Sequence, residues 1–441
     1  MNAPEHLTIS GPEDILGYVP HTLGYWPTRS LVAMTMQGKR LGATLRVDLP
    51  EGASSNRGLE DFSRTVAQYL LADDDANGTL LVFFTDDGWT DDSGPPGGRE
   101  LLADLETALG LAGMPVRDAW YVGAEYWRNV YCTDAGCCPL PGRPLAEIRD
   151  SRLNAEMVYL GSIVGAPPGD SPAGGPEPEE NPAVLAAEQR WTETLCGRGA
   201  SRPQFERVLD TWESALTAKE GTTRLPHDVA GFLRATLCVP SWRDAVLVMA
   251  AAGRPAAVAG AEEFGIFSDL PGPSATAPSA TAPSATAPPG VEAPAGTARP
   301  GSIQPARSVE PDASPVPGSG GVPDNRGVPD NRAVPGYGEV LLGLAPLVPD
   351  WTRMKSLEDV MLQLAHCGPG EAQAAAWTAK AWIEWCRGRG SYAHASLGRA
   401  LEAAPGYRLA ELLSEVVRRG TICGWAARRE AAWQKFGTDA A

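Results

Sequence analysis

The sequence predicts an α/β N-terminal domain with a mixed sheet, followed by an all-helical region that a long disordered linker interrupts. Three observations carry this prediction. Short β-rich and helical patterns alternate over residues 7–164, as in domains that pack helices against a sheet. Helical patterns alone fill most of residues 183–252 and 337–418. Residues 271–336 contain no aromatic residue and no lysine, so too little apolar surface is available to offset the entropy of ordering that segment.

These shifts in composition divide the chain into five segments. We expect an α/β domain over residues 1–165, a Pro/Gly-rich loop over 166–182, a helical region over 183–268, a disordered low-complexity linker over 269–336 and a helical C-terminal region over 337–441. The linker carries two tandem repeats whose periods, five and six residues, are too short for solenoid units of about 20 residues or more. Because apolar residues just before the linker need a packing partner, the two helical regions are predicted to form one body.

Strand patterns are clearest in the first segment. Residues 30–37 and 41–49 are β-rich and flank a Gly-Lys-Arg turn, which predicts a hairpin. Residues 79–85 form an apolar run, as in a strand that is buried on both faces. Two further strands are predicted over residues 118–123 and 125–131. Since at least two pairs of neighbouring strands are joined by short turns, the sheet is predicted to be mixed.

Helices are predicted from apolar spacing and from their start signals. Ser10 and Glu13 have the spacing of a capping box, which predicts a first helix that ends at Tyr18. Further helices are expected over residues 59–71, 100–111, 153–163, 183–196, 203–218, 226–237, 242–252, 339–347, 357–366, 370–387, 391–404 and 407–418. Residues 377–405 resemble one tetratricopeptide-type hairpin, and a helical hairpin packed through small alanine faces is the simpler interpretation.

The composition and the absence of known motifs argue against several classes of function. A formal net charge of −17 argues against a nucleic-acid-binding surface, which needs a concentrated basic patch. No apolar stretch approaches about 18 residues, so no membrane span is predicted. The N-terminus lacks the pattern of a secretory signal, and the eight cysteines are therefore expected to be reduced thiols in the cytoplasm. Sequence motifs of P-loops, dinucleotide-binding turns and zinc proteases are absent.

A run near the N-terminus combines unusual residue types, and its characteristic residues are Pro20, His21, Leu23, Gly24, Pro27 and Ser30. Later characteristic residues are Arg46, Asp48, Trp127, Cys132, Cys137, Cys138, Pro139 and Gly142. Together these residues resemble the signature of an actinobacterial family, domain of unknown function 4192, and the helical tail is also similar to its members. Because no activity is established for that family, the resemblance implies no catalytic residue, and the cofactor remains unknown.

The strongest chemical candidates are Cys132, Cys137 and Cys138. Their spacing is at the edge of what zinc sites use, and Cys132 could instead form a disulfide with either neighbour. Adjacent residues of an extended chain point to opposite faces, so Cys137 and Cys138 are not expected to bind one ion together. A metal site would also need a fourth ligand, such as His21 or Asp134. The alternative is that all three cysteines are small core residues beside a tight turn.

His21 and Ser30 are candidates for nucleophilic chemistry, which also needs an orienting acid and an oxyanion site. The sequence favours a structural role instead, in which a rigid turn after the first helix holds a buried His21 ring. One ring nitrogen is expected to bond to the backbone or to a carboxylate. Arg46 and Asp48 share one face of a strand, so they are predicted to form a structural ion pair.

Two functions are open at this point. The first is a non-enzymatic binding or regulatory protein, with a protein or peptide partner at the C-terminal helices. Trp377, Trp382 and Trp385 could anchor that partner, although they also fit a helix-packing core. The second is an uncharacterised enzyme, or a thiol- or metal-dependent protein, with a site near His21, Arg46, Asp48 and the loop over residues 132–138. Convergence of His21 with that loop, or with an acidic residue, on one cleft would favour the enzyme.

Overall fold

The computed structural model describes residues 9–50, 56–86, 88–89, 95, 97–169, 180–195, 202–218, 224–264 and 334–434. The predicted linker over residues 269–336 lies almost entirely outside the described residues. Cys196 and most of the predicted Pro/Gly-rich loop also lie outside them.

The N-terminal part of the described chain contains a six-stranded mixed sheet with helices on both faces. In chain order its elements are α1 (Pro12–Leu23), β1 (Ser30–Gln37), β2 (Arg40–Asp48), α2 (Asn56–Leu70), β3 (Gly78–Phe84), α3 (Gly98–Leu111), β4 (Val116–Val122), β5 (Tyr126–Asn129), β6 (Arg143–Pro144), α4 (Ala146–Arg149) and α5 (Arg152–Tyr159). The strand order is β2-β1-β3-β4-β5-β6. Strands β3 and β4 are parallel and α3 crosses between them, whereas the other described pairs are antiparallel. The predicted mixed sheet is confirmed.

Both faces of the sheet are covered, which explains the uniformly apolar β3. Helices α2 and α3 pack against one face, which includes Leu81. Helices α1 and α4 pack against the other face, which includes Val82. Successive strand residues point to opposite faces, so every residue of a doubly covered strand must be suited to burial.

The prediction that a capping box starts the first helix is wrong. Gly11 is the N-cap residue, and the backbone N–H of Ser10 donates to Asp14 Oδ2 at 2.9 Å. The other carboxylate oxygen of the buried Asp14 accepts the backbone N–H of Leu153 at 3.1 Å. Asp14 therefore organises the start of α1 and joins it to α5.

The first helix also ends later than the predicted Tyr18. It continues to Leu23 and includes Pro20 and His21. Gly24 ends it at a φ of 88°, and its N–H donates to the Pro20 carbonyl at 2.7 Å. A proline near the end of a helix removes one backbone hydrogen-bond donor but does not prevent the last turn, so the helix continues past Pro20.

The rest of the described chain is helical. Its elements are α6 (Pro182–Thr194), α7 (Arg202–Leu216), α8 (His227–Leu237), α9 (Pro240–Ala252), α10 (Arg254–Glu263), α11 (Tyr337–Leu341), α12 (Trp351–Ala365), α13 (Glu371–Cys386), α14 (Gly390–Ala403) and α15 (Arg408–Arg418). Helix α10 was not predicted, because Gly253 ends α9 and a new helix begins at the next residue. Helix α11 is shorter than predicted, because Gly343, at a φ of 73°, turns the chain away.

The described helices on both sides of the linker pack into one compact unit, as predicted. Tyr337 begins the first helix after the linker, and its hydroxyl donates to the Ala257 carbonyl at 2.6 Å. Its ring packs so closely on Gly260 that a Cβ there would lie 1.9 Å from a ring carbon. The helical part also contacts the sheet region, since the Tyr25 hydroxyl donates to Ser391 Oγ at 3.1 Å.

The tryptophans near the C-terminus belong to the helical core. Trp377, Trp382 and Trp385 are all buried on α13, which packs against α14 as a helical hairpin. The indole N–H of Trp382 donates to the Leu341 carbonyl, and that of Trp385 to the Thr421 carbonyl. The interpretation of these residues as core is confirmed, and they are not accessible as anchors for a partner.

Within the described residues, no single helix combines the length and apolar character needed to cross a membrane. Helices α8 and α9 meet that test only when taken together, and the pair is bent by 108°.

Candidate functional site

The loop that carries Cys132, Cys137 and Cys138, here called the cysteine loop, begins where β5 ends. Asn129 organises its first part. Asn129 Oδ1 accepts the backbone N–H groups of Tyr131 and Cys132 at 2.9 and 3.0 Å. Its Nδ2 donates to Asp118 Oδ1 on the neighbouring strand β4 at 2.5 Å. The amide therefore turns the chain out of the sheet and ties the start of the loop to β4.

Asp134 folds the second part of the loop back. Its carbonyl accepts the N–H groups of Cys137 and Cys138 at 3.1 and 2.8 Å, and its Oδ1 accepts the N–H of Gly136 at 2.8 Å. Asp and Asn side chains stabilise turns by such bonds to backbone two residues on. The expectation that Cys137 and Cys138 point apart is wrong, because they lie in a turn and not on an extended strand.

The loop brings the three thiols together. The Sγ atoms of Cys132, Cys137 and Cys138 all lie within 4.8 Å of one another. Sulfurs bound tetrahedrally to zinc, at about 2.3 Å from the ion, lie roughly 3.8 Å apart, so small side-chain rotations would bring all three onto one ion. All three are free thiols; Cys137 is exposed, Cys132 is half-buried and Cys138 is 5% exposed.

The surroundings give two of these thiols different acidities. Burial raises the pKa of the Cys138 thiol to about 11. Hydrogen bonding to the Asp134 backbone, and then to Cys138, lowers the pKa of Cys132. Cys132 is thus the more readily ionised of the two, and a bound cation would favour loss of the proton from Cys138.

The three cysteines line an open pocket of about 680 Å³. Its other walls come from strand residues and from the start of α1, namely Arg117, Asp118, Trp120, Trp127, Asn129, Tyr131, Arg143, Pro12 and Ile15. The guanidinium carbon of Arg143 lies 4.9 Å from the centre of the Trp127 ring, and Arg143 Nε pairs with Glu147 at 2.7 Å. These contacts position the Arg143 side chain against Trp127 at the pocket wall.

Gly142 permits the return of the chain past β5. A Cβ at Gly142 would lie 2.6 Å from the Trp127 carbonyl oxygen, so a larger residue would push the loop away from the strand. The indole N–H of Trp89 donates to the Pro141 carbonyl at 2.6 Å and holds the same segment. Gly142 therefore has a positioning role in the loop.

His21 is buried and makes hydrogen bonds within the fold. The residue is 1% exposed, its Nε2 lies 2.7 Å from Asn154 Oδ1, and its Nδ1 lies 2.9 Å from Ser162 Oγ. Asn154 Nδ2 donates to the Arg149 carbonyl at 2.6 Å, which orients Oδ1 towards the ring, so Nε2 carries a proton. The predicted burial is confirmed. These two partners are an amide and a hydroxyl, where the sequence led us to expect backbone or a carboxylate.

Replacing His21 with alanine is expected to lower the free energy of unfolding by about 2–4 kcal/mol, because it opens a cavity and leaves the half-buried Asn154 amide and the buried Ser162 hydroxyl without the ring. Urea unfolding of the purified protein measures this change. The exposed His394 on α14 provides a matched control, His394→Ala, whose effect should stay within about 0.5 kcal/mol. Equal unfolding midpoints for the two variants would argue against a structural role for His21.

Ser30 and Arg46 form a separate network near the other edge of the sheet. Arg46 Nη2 pairs with Asp48 Oδ1 at 2.6 Å, which confirms the predicted ion pair. Arg46 Nε donates to Ser30 Oγ at 2.9 Å, and Ser30 Oγ donates to the Thr28 carbonyl at 2.5 Å. Arg46 Nη1 also reaches Ser391 Oγ on α14 at 3.4 Å. The Ser30 hydroxyl therefore serves local structure.

The residues considered for an enzyme do not converge. Arg46 lies on β2 and the cysteine loop follows β5. Three strands lie between β2 and β5, so four inter-strand spacings of ~4.8 Å separate them by about 19 Å. His21 is enclosed between α1 and α5 and does not line the cysteine pocket. Neither His21 nor Asp134 joins the thiol group, which in the described part of the chain consists of the three cysteines.

Sequence reasoning missed the residues that shape this loop, above all Asn129 and Asp118. A partial signal was available, because an asparagine at the end of a strand pattern is typical of a turn. The partner could not be found in this way. Asn129 lies opposite Trp120 in the β4–β5 pairing, and that register brings Asp118 within reach.

Comparison with known proteins places this architecture in a family. No curated protein and no solved structure matches the chain. A family model described as "Domain of unknown function (DUF4192)" matches residues 12–262 and 350–422, which include the His21 segment, the cysteine loop and most of the helices on both sides of the linker. Since the matched residues make up more than half of the sequence, the chain belongs to the DUF4192 family, as its resemblance to that family predicted.

Proposed function

We propose that the protein is a non-enzymatic binding protein that holds a thiophilic metal ion, Zn²⁺, at Cys132, Cys137 and Cys138. The observation that carries the proposal is the group of three free thiols within 4.8 Å of one another beside an open pocket. Thiolate sulfur selects ions such as zinc and copper(I) over hard cations. Three protein ligands leave the fourth position of Zn²⁺ to water or to a ligand that enters from the pocket.

The exposure of the thiols supports this proposal over the alternative that they only fill the core. A packing role needs no accessible sulfur, yet Cys137 is exposed and Cys132 is half-buried. The bonds from Asn129 and Asp134 set the geometry of the loop without a metal, so little ordering entropy would be lost on binding.

A nearby cation favours the charge that such a site would carry. Three thiolates on a divalent ion leave one net negative charge. The buried Arg128 guanidinium donates from Nη2 to the Cys132 carbonyl at 3.2 Å. Its Nη1 is buried without a hydrogen-bond partner among the described residues. Negative charge on the loop whose backbone it contacts would offset part of the cost of burying this cation.

Binding through thiolates requires a reducing compartment, so we propose that the protein acts in the cytoplasm. A protein or peptide partner at the C-terminal helices stays a separate prediction. Because the α13 tryptophans are buried, such a partner would have to contact other side chains, for example Leu412 on α15, which is 46% exposed.

The proposal is tested by titrating the reduced, full-length protein with Co²⁺ under anaerobic conditions. We expect a thiolate-to-cobalt charge-transfer absorption that saturates at one ion per chain and that Zn²⁺ displaces. Replacing Cys132, Cys137 or Cys138 with serine should weaken Co²⁺ binding by more than about 100-fold. That factor is the largest loss of affinity expected when a residue that only orients a metal ligand is mutated. Cys238→Ser, at a half-buried thiol outside the group, is the matched control and should bind like the wild type. Wild-type protein without this absorption, or a triple variant that keeps it, would overturn the proposal.

A further inference from the structure

We propose that the cysteine loop is also a reversible oxidation site, in which hydrogen peroxide joins Cys132 to Cys137 as a disulfide and thereby releases the metal ion. The release step rests on the proposed metal-binding function. The disulfide itself rests only on the geometry of the thiols, and the experiment below separates the two.

Exposure and connectivity select this pair of thiols. Cys137 is exposed, so a small oxidant reaches it directly, and the half-buried Cys132 lies within 4.8 Å of it. Cys138 is 5% exposed, so it offers the oxidant much less surface than the exposed Cys137 does. A disulfide between the adjacent Cys137 and Cys138 would strain the peptide that joins them, whereas Cys132 and Cys137 are separated by residues 133–136.

The two sulfurs need only a short movement to form a bond. A disulfide brings two sulfurs to about 2.05 Å, so the Cys132 and Cys137 sulfurs must approach by no more than about 3 Å. Residues 133–136 are all exposed and include Gly136, so the movement disturbs no core packing. The turn bond from the Cys137 N–H to the Asp134 carbonyl joins two exposed residues of the same stretch.

The chemistry balances with peroxide as the oxidant. The Cys137 thiolate attacks one oxygen of hydrogen peroxide, the O–O bond breaks, and Cys137 becomes a sulfenic acid while hydroxide leaves and takes up a proton as water. The Cys132 thiolate then attacks the Cys137 sulfur, the S–S bond forms, and the S–O bond breaks with loss of a second hydroxide, which is also protonated to water. Two thiols thus lose two electrons in all, and one peroxide becomes two water molecules.

The disulfide removes two of the three metal ligands, because a sulfur in a disulfide is no longer a thiolate. Cys138 alone cannot retain the ion, so the metal leaves. A dithiol reductant reopens the disulfide by exchange and restores the site. Metal occupancy of the protein would therefore report the peroxide level around it.

The disulfide is tested on metal-free, full-length protein that is treated with hydrogen peroxide, alkylated, digested and analysed by mass spectrometry. We expect a peptide that links Cys132 to Cys137, with Cys138 alkylated. Cys138→Ser should form the same disulfide, whereas Cys137→Ser should not. Three alkylated thiols after peroxide treatment, or any other pairing of them, would overturn the oxidation site.

The metal release is tested on Zn²⁺-loaded protein with a chromophoric chelator. Peroxide should release the bound ion, dithiothreitol should restore binding, and Cys137→Ser should lose this response to peroxide. If the disulfide forms in a protein that binds no Co²⁺ when reduced, the oxidation site stands and the release step is overturned together with the proposed function. If Zn²⁺ stays bound after the disulfide has formed, the release step alone is overturned.

Discussion

Replacing Arg234 with alanine is expected to lower the free energy of unfolding by about 3–5 kcal/mol, the usual cost of breaking a buried ion pair. Arg234 on α8 is completely buried, and its Nε pairs with Glu188 Oε2 at 2.5 Å. Its Nη1 donates to the Leu364 carbonyl at 2.6 Å and its Nη2 to the Pro369 carbonyl at 3.0 Å. Without the guanidinium, a carboxylate and two carbonyl oxygens would lose their donors where little water reaches them.

These bonds connect chain segments that the linker separates, since Arg234 and Glu188 precede it and Leu364 and Pro369 follow it. Urea unfolding measures the loss of stability, and Arg190→Ala is the matched control. Arg190 on α6 pairs at 3.2 Å with Asp228, which lies on α8 as Arg234 does. Because both side chains of this pair are exposed, the expected loss of stability is about 0–1 kcal/mol. Similar losses for the two variants would show that the buried arginine contributes no more than a surface pair.

The second large effect is expected for Glu358→Gln, which should destabilise the protein by about 3 kcal/mol at neutral pH. Glu358 Oε2 pairs with Arg387 Nη1 at 2.7 Å, and Oε1 lies 3.4 Å from Lys380 Nζ. Burial alone would raise the pKa of this carboxyl, but the charges of Arg387 and Lys380 outweigh it and lower the pKa to about 2. In the variant, Glu384 still pairs with Lys380 at 2.9 Å and so balances part of the positive charge. The loss of stability is therefore expected near the lower end of the range of about 3–5 kcal/mol for breaking a buried ion pair.

The sign of the pH dependence follows from the lowered pKa of Glu358. A carboxyl that ionises more readily in the folded state contributes its full stability above its unfolded pKa, here 4.5, and loses that contribution as the pH falls towards the folded value. Glutamine cannot ionise. The difference in unfolding free energy between wild type and Glu358→Gln should therefore shrink as the pH falls below about 4.5.

A matched control for this experiment is available on the same helix. Asp359 follows Glu358 on α12 and pairs with Lys355, and both of these side chains are about half exposed. Asp359→Asn should change the stability by less than about 1 kcal/mol. Urea unfolding from pH 7 down to pH 3 measures all three proteins. A stability difference that stays constant over that range for Glu358→Gln would contradict the ionisation argument.

The sequence predicted most elements of the fold because their signals are local. The β1–β2 hairpin, the buried β3 and the α13–α14 hairpin all follow from apolar periodicity and turn residues within a few positions. The errors occur where a long-range contact overrides a local signal. Asp14 organises the start of α1 through Leu153, and a packed α10 begins directly after the glycine that ends α9.

The candidate site was predictable in its residues but not in its arrangement. Cys132, Cys137 and Cys138 stand out by chemistry and spacing alone. Whether their sulfurs lie close enough to bind one metal ion depends on the turn at Asp134 and on the hydrogen bond from Asn129 to the neighbouring strand. The hydrogen-bond partners of His21 could not be predicted either, because they lie more than 130 positions away in the chain.

By itself, the sequence determined the mixed α/β class, the helical regions, the family and the identity of the chemically capable residues, since each depends on residue type and near neighbours. Only the tertiary structure decided that the three thiols meet beside an open pocket, that His21 is enclosed and that Arg46 lies near the opposite edge of the sheet. The physical reason is that strand pairing and helix docking set distances between residues that the chain itself keeps far apart.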